Sequence, residues 1–547
     1  MKFLGLRNGH DCNVTYTDGA QVRYVKLERN LQIKHYNWSH LTSDQGQPMD
    51  DVPRLLEDAQ RILGVDFREL DGICFAIDTE LHKIDRNIQI NELFFELDKS
   101  KNPFWSQFSC PVYIIDHHYA HLFTAWPLTD VTQVKHHFVF DGLGDHGRVS
   151  GVFETQRDGS HKLIDYVERS ENLGLSVTME QIGYSYGMSG MRLDMSGKLM
   201  ALKSYHHVQD NMRDAIMQRT EPMRYRHLNQ FIEFVRDVQS QEHLIPPDVD
   251  GNEVWIGRKQ HKFGQTDLQQ QLVDLAYLLH VFGEQKLPDY FAQYANPSDV
   301  ITYTGGTAQN TVVNTKLRER FPHIVIPPHC PDDGLSLGCV EFLRQRYEQS
   351  PFDNSQFPFW QSDVAPDSTP SIETIECTAE LLAQGKIVGW YQGHGEVGPR
   401  ALGNRSILMD PSIAGGKDVI NAKVKHREPY RPFGASILTE YANEYFKCDY
   451  ASPHMLYVID CRRPDDFASI VHVDGSCRIQ TVDEQPQYAA YRDLIESFRR
   501  RTGVPMLLNT SLNVDGKPIA GHPEDATTVF NNSELDAVVI GNEIRVK

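Results

Sequence analysis

The chain has 547 residues, of which 40% are hydrophobic, 23% charged and 10% aromatic. At roughly one domain per ~150 residues this supplies two to four ordered domains and excludes both a minimal binding module and a disordered chain. Fifty-four Lys and Arg against 74 Asp and Glu leave a formal charge of −20, which argues against wrapping a nucleic acid, because that affinity comes mostly from basic groups displacing counterions.

No run approaches the ~18 consecutive apolar residues of a membrane span, and the start MKFLGLRNGHD turns polar too soon for a signal-peptide core. The expected location is the cytoplasm, with no membrane partner. Nine cysteines, an odd number without a C-x-x-C, suggest neither a disulfide framework nor a thiolate zinc site, but reduced and mostly buried thiols.

Short apolar runs alternate with helical patterns and are bounded by Gly, Asp or Asn, which predicts an α/β protein. Residues 1–347 read as one block. Residues 348–370, EQSPFDNSQFPFWQSDVAPDSTP, carry no sustained period and read as a linker whose Phe and Trp side chains should dock. Residues 371–547 read as a second α/β block. Within the first, Phe3 to Gly19 and Phe138 to Gly159 both spell strand, Gly/Asp/His loop, strand and Asp-Gly turn. Two such units, each opening one half, fit a duplicated actin-like ATPase core whose hairpin loops offer backbone N–H groups to phosphates. The alternative is two unrelated Gly-rich hairpins.

In SCPVYIIDHHYAHLFTAW a β-type segment runs into a helical one, with Asp116, His117, His118 and His121 at the junction. His117 and His121 are four apart, so on a helix they share a face and can share a metal. The next strand ends in Asp141-Gly142-Leu143-Gly144-Asp145, where small residues admit an anion to the backbone and a carboxylate can reach a cation. DVITYTGGTAQNTVVN gives an apolar strand, Gly305-Gly306, and a helix whose N-terminus near Asn310 points free N–H groups outward. In HIVIPPHCPDDGLSLGCVEFL, Asp332 or Asp333 either completes a His/His/Asp set or caps the following helix, and spacing alone favours the cap.

Together these residues resemble the Kae1-like domain of the O-carbamoyltransferases of the NodU and CmcH type, the family that includes the tobramycin carbamoyltransferase. The resemblance implies one iron, Fe(II) or another divalent transition metal, held by His117, His121, Asp141 and Asp332. It extends to GKLMALKSYH, with Lys198, and to Gly305-Gly306. Gly142, Gly144, Lys198, Gly305, Gly306 and Asn310 are the implied nucleotide contacts. Where the family has Tyr-His-Asp-Ser near the N-terminus, this chain has Asn8-Gly9-His10-Asp11-Cys12, so only His10 and Asp11 carry over.

In the second block, GWYQGHGEVGPRALGNRSILMDP is the most specific string. Its glycines permit tight turns, and Arg400 and Arg405 supply forked cations suited to phosphate oxygens, unless they are structural arginines on carboxylates. The string is similar to the family signature without a gap. Five basic side chains fall between Lys423 and Arg431, which is either an exposed charged face or a phosphate cradle. LLNTSLNVDG ends an apolar strand in Asn509, Ser511 and Asn513. Lys425-x-Arg427 with Ser511-x-Asn513 is similar to the K-x-R and S-x-N pairs of YrdC-like domains, which bind ATP and a small acyl donor.

The resemblance implies two half-reactions: carbamoyl phosphate and ATP give carbamoyl-adenylate in the YrdC-like domain, and the carbamoyl group then passes to an alcohol in the Kae1-like domain. Arg400, Lys425, Arg427 and Arg431 would neutralise charge on the phosphorylated reactants, with Mg²⁺ assisting. His10 is the candidate base. The expected partner is a small natural-product or sugar hydroxyl acceptor, and a homodimer stays open. Two rival readings are a tRNA-modifying threonylcarbamoyladenosine-type enzyme, disfavoured by the net charge, and an ATP-binding regulator without turnover.

Overall fold

The computed structural model describes residues 1–36, 52–76, 88–89, 91–101, 103–172, 174–186, 188, 192–241 and 267–547. Its first sheet contains β1 (Phe3–Arg7), β2 (Asn13–Thr17), β3 (Val22–Lys26), β4 (Gly72–Ala76), β5 (Phe94–Glu96) and β6 (Val112–Ile115), in the order β3-β2-β1-β4-β6-β5. β1, β2 and β3 form an antiparallel meander, and β4 and β6 run parallel to β1 and to each other.

The second sheet repeats this plan with β7 (His136–Phe140), β8 (Arg148–Thr155), β9 (His161–Glu168), β10 (Ile301–Thr304) and β11 (Ile324–Val325), in the order β11-β10-β7-β8-β9. Again the first three strands are an antiparallel meander, and β10 and β11 add in parallel. This is the duplicated actin-like arrangement expected from the two β-loop-β strings. Even the turns correspond: Gly19 and Gly159 both take positive φ after an Asp, and each Asp accepts a backbone N–H two residues on.

The third sheet is mixed and eight-stranded: β12 (Val388–Tyr391), β13 (Arg405–Met409), β14 (Gly434–Leu438), β15 (Val458–Asp460), β16 (Ser476–Val482), β17 (Met506–Ser511), β18 (Ala537–Ile540) and β19 (Glu543–Val546), ordered β15-β16-β14-β17-β13-β12-β18-β19. One hydrophobic cluster runs without a break from Phe138 and Phe291, whose rings stack 3.8 Å apart, into Tyr391, Ile437 and Ile479 of this sheet. The actin-like half and the third sheet therefore share a core. Of the nine cysteines, none is disulfide-bonded and all but Cys377 are buried. No helix among the described residues is long and apolar enough to cross a membrane.

Residues 348–370 act as a strap. Phe352, Phe357 and Trp360 enter the core of the first sheet, with Trp360 stacked on Trp126 at 5.3 Å, while Phe359 enters that of the third. Gln361 bridges β3 at Tyr24 to the loop at Gly395. Replacing a buried aromatic by alanine costs roughly 3–5 kcal/mol. Trp360→Ala should lower the thermal midpoint and open residues 348–370 to limited proteolysis; unchanged melting and resistance would show that the strap is not held by its aromatics.

Candidate functional site

The ends of β6 and β7 and the loop before the helix Leu335–Arg346 converge on four side chains. Asp116 caps the helix His117–Phe123 by accepting from the Tyr119 N–H at 2.9 Å, and helical spacing brings the His117 and His121 rings to 4.9 Å. Asp141 follows β7 and Asp332 comes from the loop. Nε2 of His117 lies 3.0 Å from Asp141 Oδ2 and 3.4 Å from Asp332 Oδ1; Nε2 of His121 lies 3.9 and 3.3 Å from the same oxygens. All four residues are buried.

Ligands ~2 Å from one ion are about 3 to 3.5 Å from each other, so these separations and the two-imidazole, two-carboxylate donor set fit a divalent transition metal. His121 Nε2 and Asp332 Oδ1 are buried without a hydrogen-bond partner, which is the signature of donors facing a cation rather than each other. Burial alone lowers the pKa of His117, yet Asp332 and Asp141 outweigh it and push the imidazole up to about 10, so the pocket's field favours positive charge.

Side-chain direction separates Asp332 from Asp333. Asp332 turns to the histidines, with Arg7 Nη2 on its other oxygen at 2.6 Å; Asp333 turns to Lys26 at 3.4 Å. Neither caps the helix, which overturns the capping reading. The glycine pair also resolves into separate tasks. Gly306 donates its N–H to Asp141 Oδ1 at 2.6 Å and a Cβ there would meet that oxygen. Gly305, at φ +91, lies where a Cβ would fall 2.2 Å from the Phe140 carbonyl oxygen, and its N–H donates to the Cys330 carbonyl at 2.8 Å. A Cβ on Gly144 would meet the His118 ring, and the Gly144 N–H donates to the Arg148 carbonyl at 2.7 Å, so in this structure both N–H groups are spent within the protein rather than offered to a nucleotide.

Beside the four donors, His10 Nε2 is 3.5 Å from Asp332 Oδ2 and its Nδ1 is 3.1 Å from Asp11 Oδ2. Asp11 is held in turn by Lys26 at 3.0 Å and His35 at 3.2 Å. Asp11, Glu28 and His35 bring donor atoms close enough for a second metal, but Lys26 Nζ sits 3.0 Å from both Asp11 and Glu28 and supplies that positive charge itself. Neither Lys26 nor His35 is legible in the sequence, because each is remote from any motif.

Across from this pole stand Arg400, Arg427, Arg431 and Arg478, drawn from the 389–411 string, the basic run and β16. Burial, then the neighbouring Arg400, pushes Arg478 down to about 9, and burial, then Arg431, lowers Arg427 and contributes to lowering Arg400. Guanidinium groups keep their protons at neutral pH, so this mutual repulsion is relieved by an anion. Arg478 was not singled out from the sequence; an isolated Arg in a strand carries no signal.

Three expected ligand contacts are placed otherwise. Arg405, fully buried on β13, spends its guanidinium on Asp363 at 2.7 Å and the carbonyls of Gln392, Gly393 and Asn404; the structural alternative holds for this arginine. Lys198 reaches Glu428 at 2.5 Å and joins the two blocks. Lys425 does meet the S-x-N segment, but its Nζ lies against four acceptors of Ser511 and Asn513 at 2.5 to 3.2 Å. It clamps that loop and does not line the cavity described below.

A cavity of about 520 Å³ joins the two poles, lined by His10, Asp141 and Asp332 on one side and Arg400, Arg431 and Arg478 on the other. Gly142, Gly306, Asn310, Arg427, Ser511 and Asn513 also line it. A second cavity of about 630 Å³ shares the arginine wall and continues between the helix Thr311–Arg320 and β15.

Comparison with known proteins places the chain in a family. Residues 98–340 match the family model described as carbamoyltransferase N-terminus, and residues 379–547 match carbamoyltransferase C-terminus. Nodulation protein NolNO of Sinorhizobium fredii is 30% identical over 97% of this chain and 78% of its own length. Nodulation protein NolO of Bradyrhizobium diazoefficiens is 32% identical over 78% of each chain. The 3'-hydroxymethylcephem-O-carbamoyltransferase of Amycolatopsis lactamdurans is 37% identical over 41% of this chain and 44% of its own. With both terminal models matched in order and NolNO covered over more than two thirds of its length, the chain belongs to the carbamoyltransferase family and is an enzyme of that class.

Proposed function

We propose that this enzyme is an ATP-dependent O-carbamoyltransferase that forms carbamoyl-adenylate from carbamoyl phosphate and ATP and transfers the carbamoyl group to a hydroxyl of a small natural-product or sugar acceptor. One observation carries the reading: a single cavity has a wall of arginines without enough internal counter-charge at one end and a histidine–carboxylate pole at the other. The related cephem enzyme, named for a hydroxymethyl acceptor, supports an alcohol as nucleophile.

At the arginine end, water releases carbamate and inorganic phosphate from carbamoyl phosphate. A carbamate oxygen then attacks the α-phosphorus of ATP, and pyrophosphate leaves. Arg400, Arg431 and Arg478 hold the phosphoryl oxygens of reactants that otherwise repel each other, with Mg²⁺ as the expected companion of ATP. At the other end the acceptor oxygen attacks the carbamoyl carbon and AMP leaves. His10 takes the hydroxyl proton at Nε2, while Asp11 fixes Nδ1 and so the ring's orientation. A divalent metal, Fe(II) by family resemblance, held by His117, His121, Asp141 and Asp332 would supply Lewis-acid charge without redox change. One cavity reaching both ends shortens the path a hydrolysable adenylate must travel.

Labelled pyrophosphate should enter ATP only when carbamoyl phosphate is present and without any acceptor; exchange indifferent to carbamoyl phosphate would defeat the adenylate assignment. His121→Ala should lose bound metal by elemental analysis and reduce acceptor carbamoylation by at least ~10²-fold, with pyrophosphate exchange retained. Full metal occupancy in that variant would return the His pair to a structural role. His10→Asn keeps a hydrogen-bonding amide but cannot accept a proton, and should slow transfer by on the order of 10²-fold or more with metal content and exchange unchanged. Transfer at the parental rate would leave the substrate or metal as proton acceptor.

A further inference from the structure

Arg400 is delivered by the loop Gly395–Arg400, and what fixes that loop comes largely from outside its own domain. Within the loop, Glu396 Oε1 gathers the N–H groups of Leu402, Asn404 and Arg405 at 2.7, 2.9 and 3.1 Å, so the turn is folded on itself. Residues 358–363 hold its outer edge, with the Gln361 N–H on the Gly395 carbonyl at 3.1 Å, the Val397 N–H on the Pro358 carbonyl at 2.8 Å and the Gly395 N–H on Asp363 Oδ1 at 3.0 Å; from the first block Arg29 Nη1 donates to the Glu396 carbonyl and Nη2 to the Gly398 carbonyl, both at 2.6 Å. Arg29 is 1% exposed. On the opposite side Gly398, at φ +89, is pressed so close to Pro328 that a Cβ would fall 2.4 Å from the Pro328 carbonyl oxygen. Beyond Arg400, the Ala401 carbonyl accepts from Asn509 Nδ2 at 3.2 Å.

The same five-residue helix, Leu27–Leu31, begins right after Lys26, whose ammonium holds Asp11 beside His10. One helical turn therefore braces the histidine–carboxylate pole through Lys26 and the arginine pole through Arg29. A guanidinium meets two carbonyls with a rigid planar fork, and an ammonium on a flexible stem does not reproduce that geometry.

We infer that Arg29 is a positioning residue for adenylate formation: it acts through Arg400 by fixing the 395–400 loop, so that the second block's half-reaction depends on a residue of the first. The inference rests on the reading of Arg400 as a ligand of the phosphorylated reactants. A displacement of about 1 Å at a reacting centre costs on the order of 10²-fold.

The test is carbamoyl phosphate-dependent ATP–pyrophosphate exchange in the full-length enzyme, with the variants R29K, R29Q, R400A, R29K/R400A and R29Q/R400A, and metal content and melting temperature as controls. R29K should lower exchange kcat about 10- to 100-fold while the KM for ATP stays within about twofold. In the R400A background, R29K should cost nothing further, because a residue acting only through Arg400 has nothing left to position. An R29K enzyme that exchanges at the parental rate overturns the inference, as does a multiplicative loss in R29K/R400A, which would mark a general structural role. If R29K does not fold, R29Q and its double variant are read in the same way. R400A with parental exchange would instead sink the assignment of Arg400 itself, a separate outcome from failure of the Arg29 inference.

Discussion

Everything in this molecule turns on holding four guanidinium groups against one wall of a cavity whose other wall is built from buried carboxylates and histidines. Like charges gathered out of water repel strongly at the reduced dielectric of an interior, and burial first, then Arg400 and Arg431, hold the Arg478 guanidinium below its usual range. Only a rigid frame keeps such groups from swinging into solvent. The frame is the unbroken core between the second actin-like sheet and the third sheet, closed on the far side by the aromatic strap. Stability from apolar burial is what makes the unfavourable charge arrangement sustainable.

The duplicated core was legible because it is written in local chemistry. Asp-Gly turns demand positive φ, alternating apolar runs demand strands, and the i, i+4 histidines need only a helix to meet. Asp332 was assignable only through resemblance; spacing favoured a cap, and it is the direction of the chain between β11 and the helix Leu335–Arg346 that aims it at His121. Asp333, one residue on, is turned to Lys26.

Arg400 and Arg405 show where reading a string stops. They stand five apart in one glycine-rich motif, with the same chemistry and the same apparent invitation to phosphate. Arg400 sits in a loop that opens on the cavity, whereas Arg405 begins β13, turned inward against Tyr391 and Asp363. Lys425 is turned to Ser511 and Asn513, whereas Arg427 lines the cavity while its Nε donates to Asn421 Oδ1 at 2.8 Å. The charged partner that occupies Arg405, Asp363, lies 42 residues away, and the acceptors that occupy Lys425 lie 86 and 88 residues away; no local pattern carries that. Arg478 and Arg29 are the converse: without a motif, they become visible only when distant elements bring them to the site.

The two-step reaction proposed above requires that both ends of the cavity keep their spacing while reactants exchange. Two independently packed domains would not provide this, since hinged interfaces are the usual outcome of modest polar contacts. Here the contacts between blocks are not modest: the shared core is apolar, Lys198 meets Glu428, the Asn314 amide donates to the Leu456 carbonyl, and the turn carrying Lys26 and Arg29 touches both poles at once. The Lys26 side chain links this turn to Asp11, and the Arg29 side chain links it to the arginine loop through two hydrogen bonds. The turn is thus a mechanical link between the two ends of the cavity, in addition to the apolar core that joins the blocks.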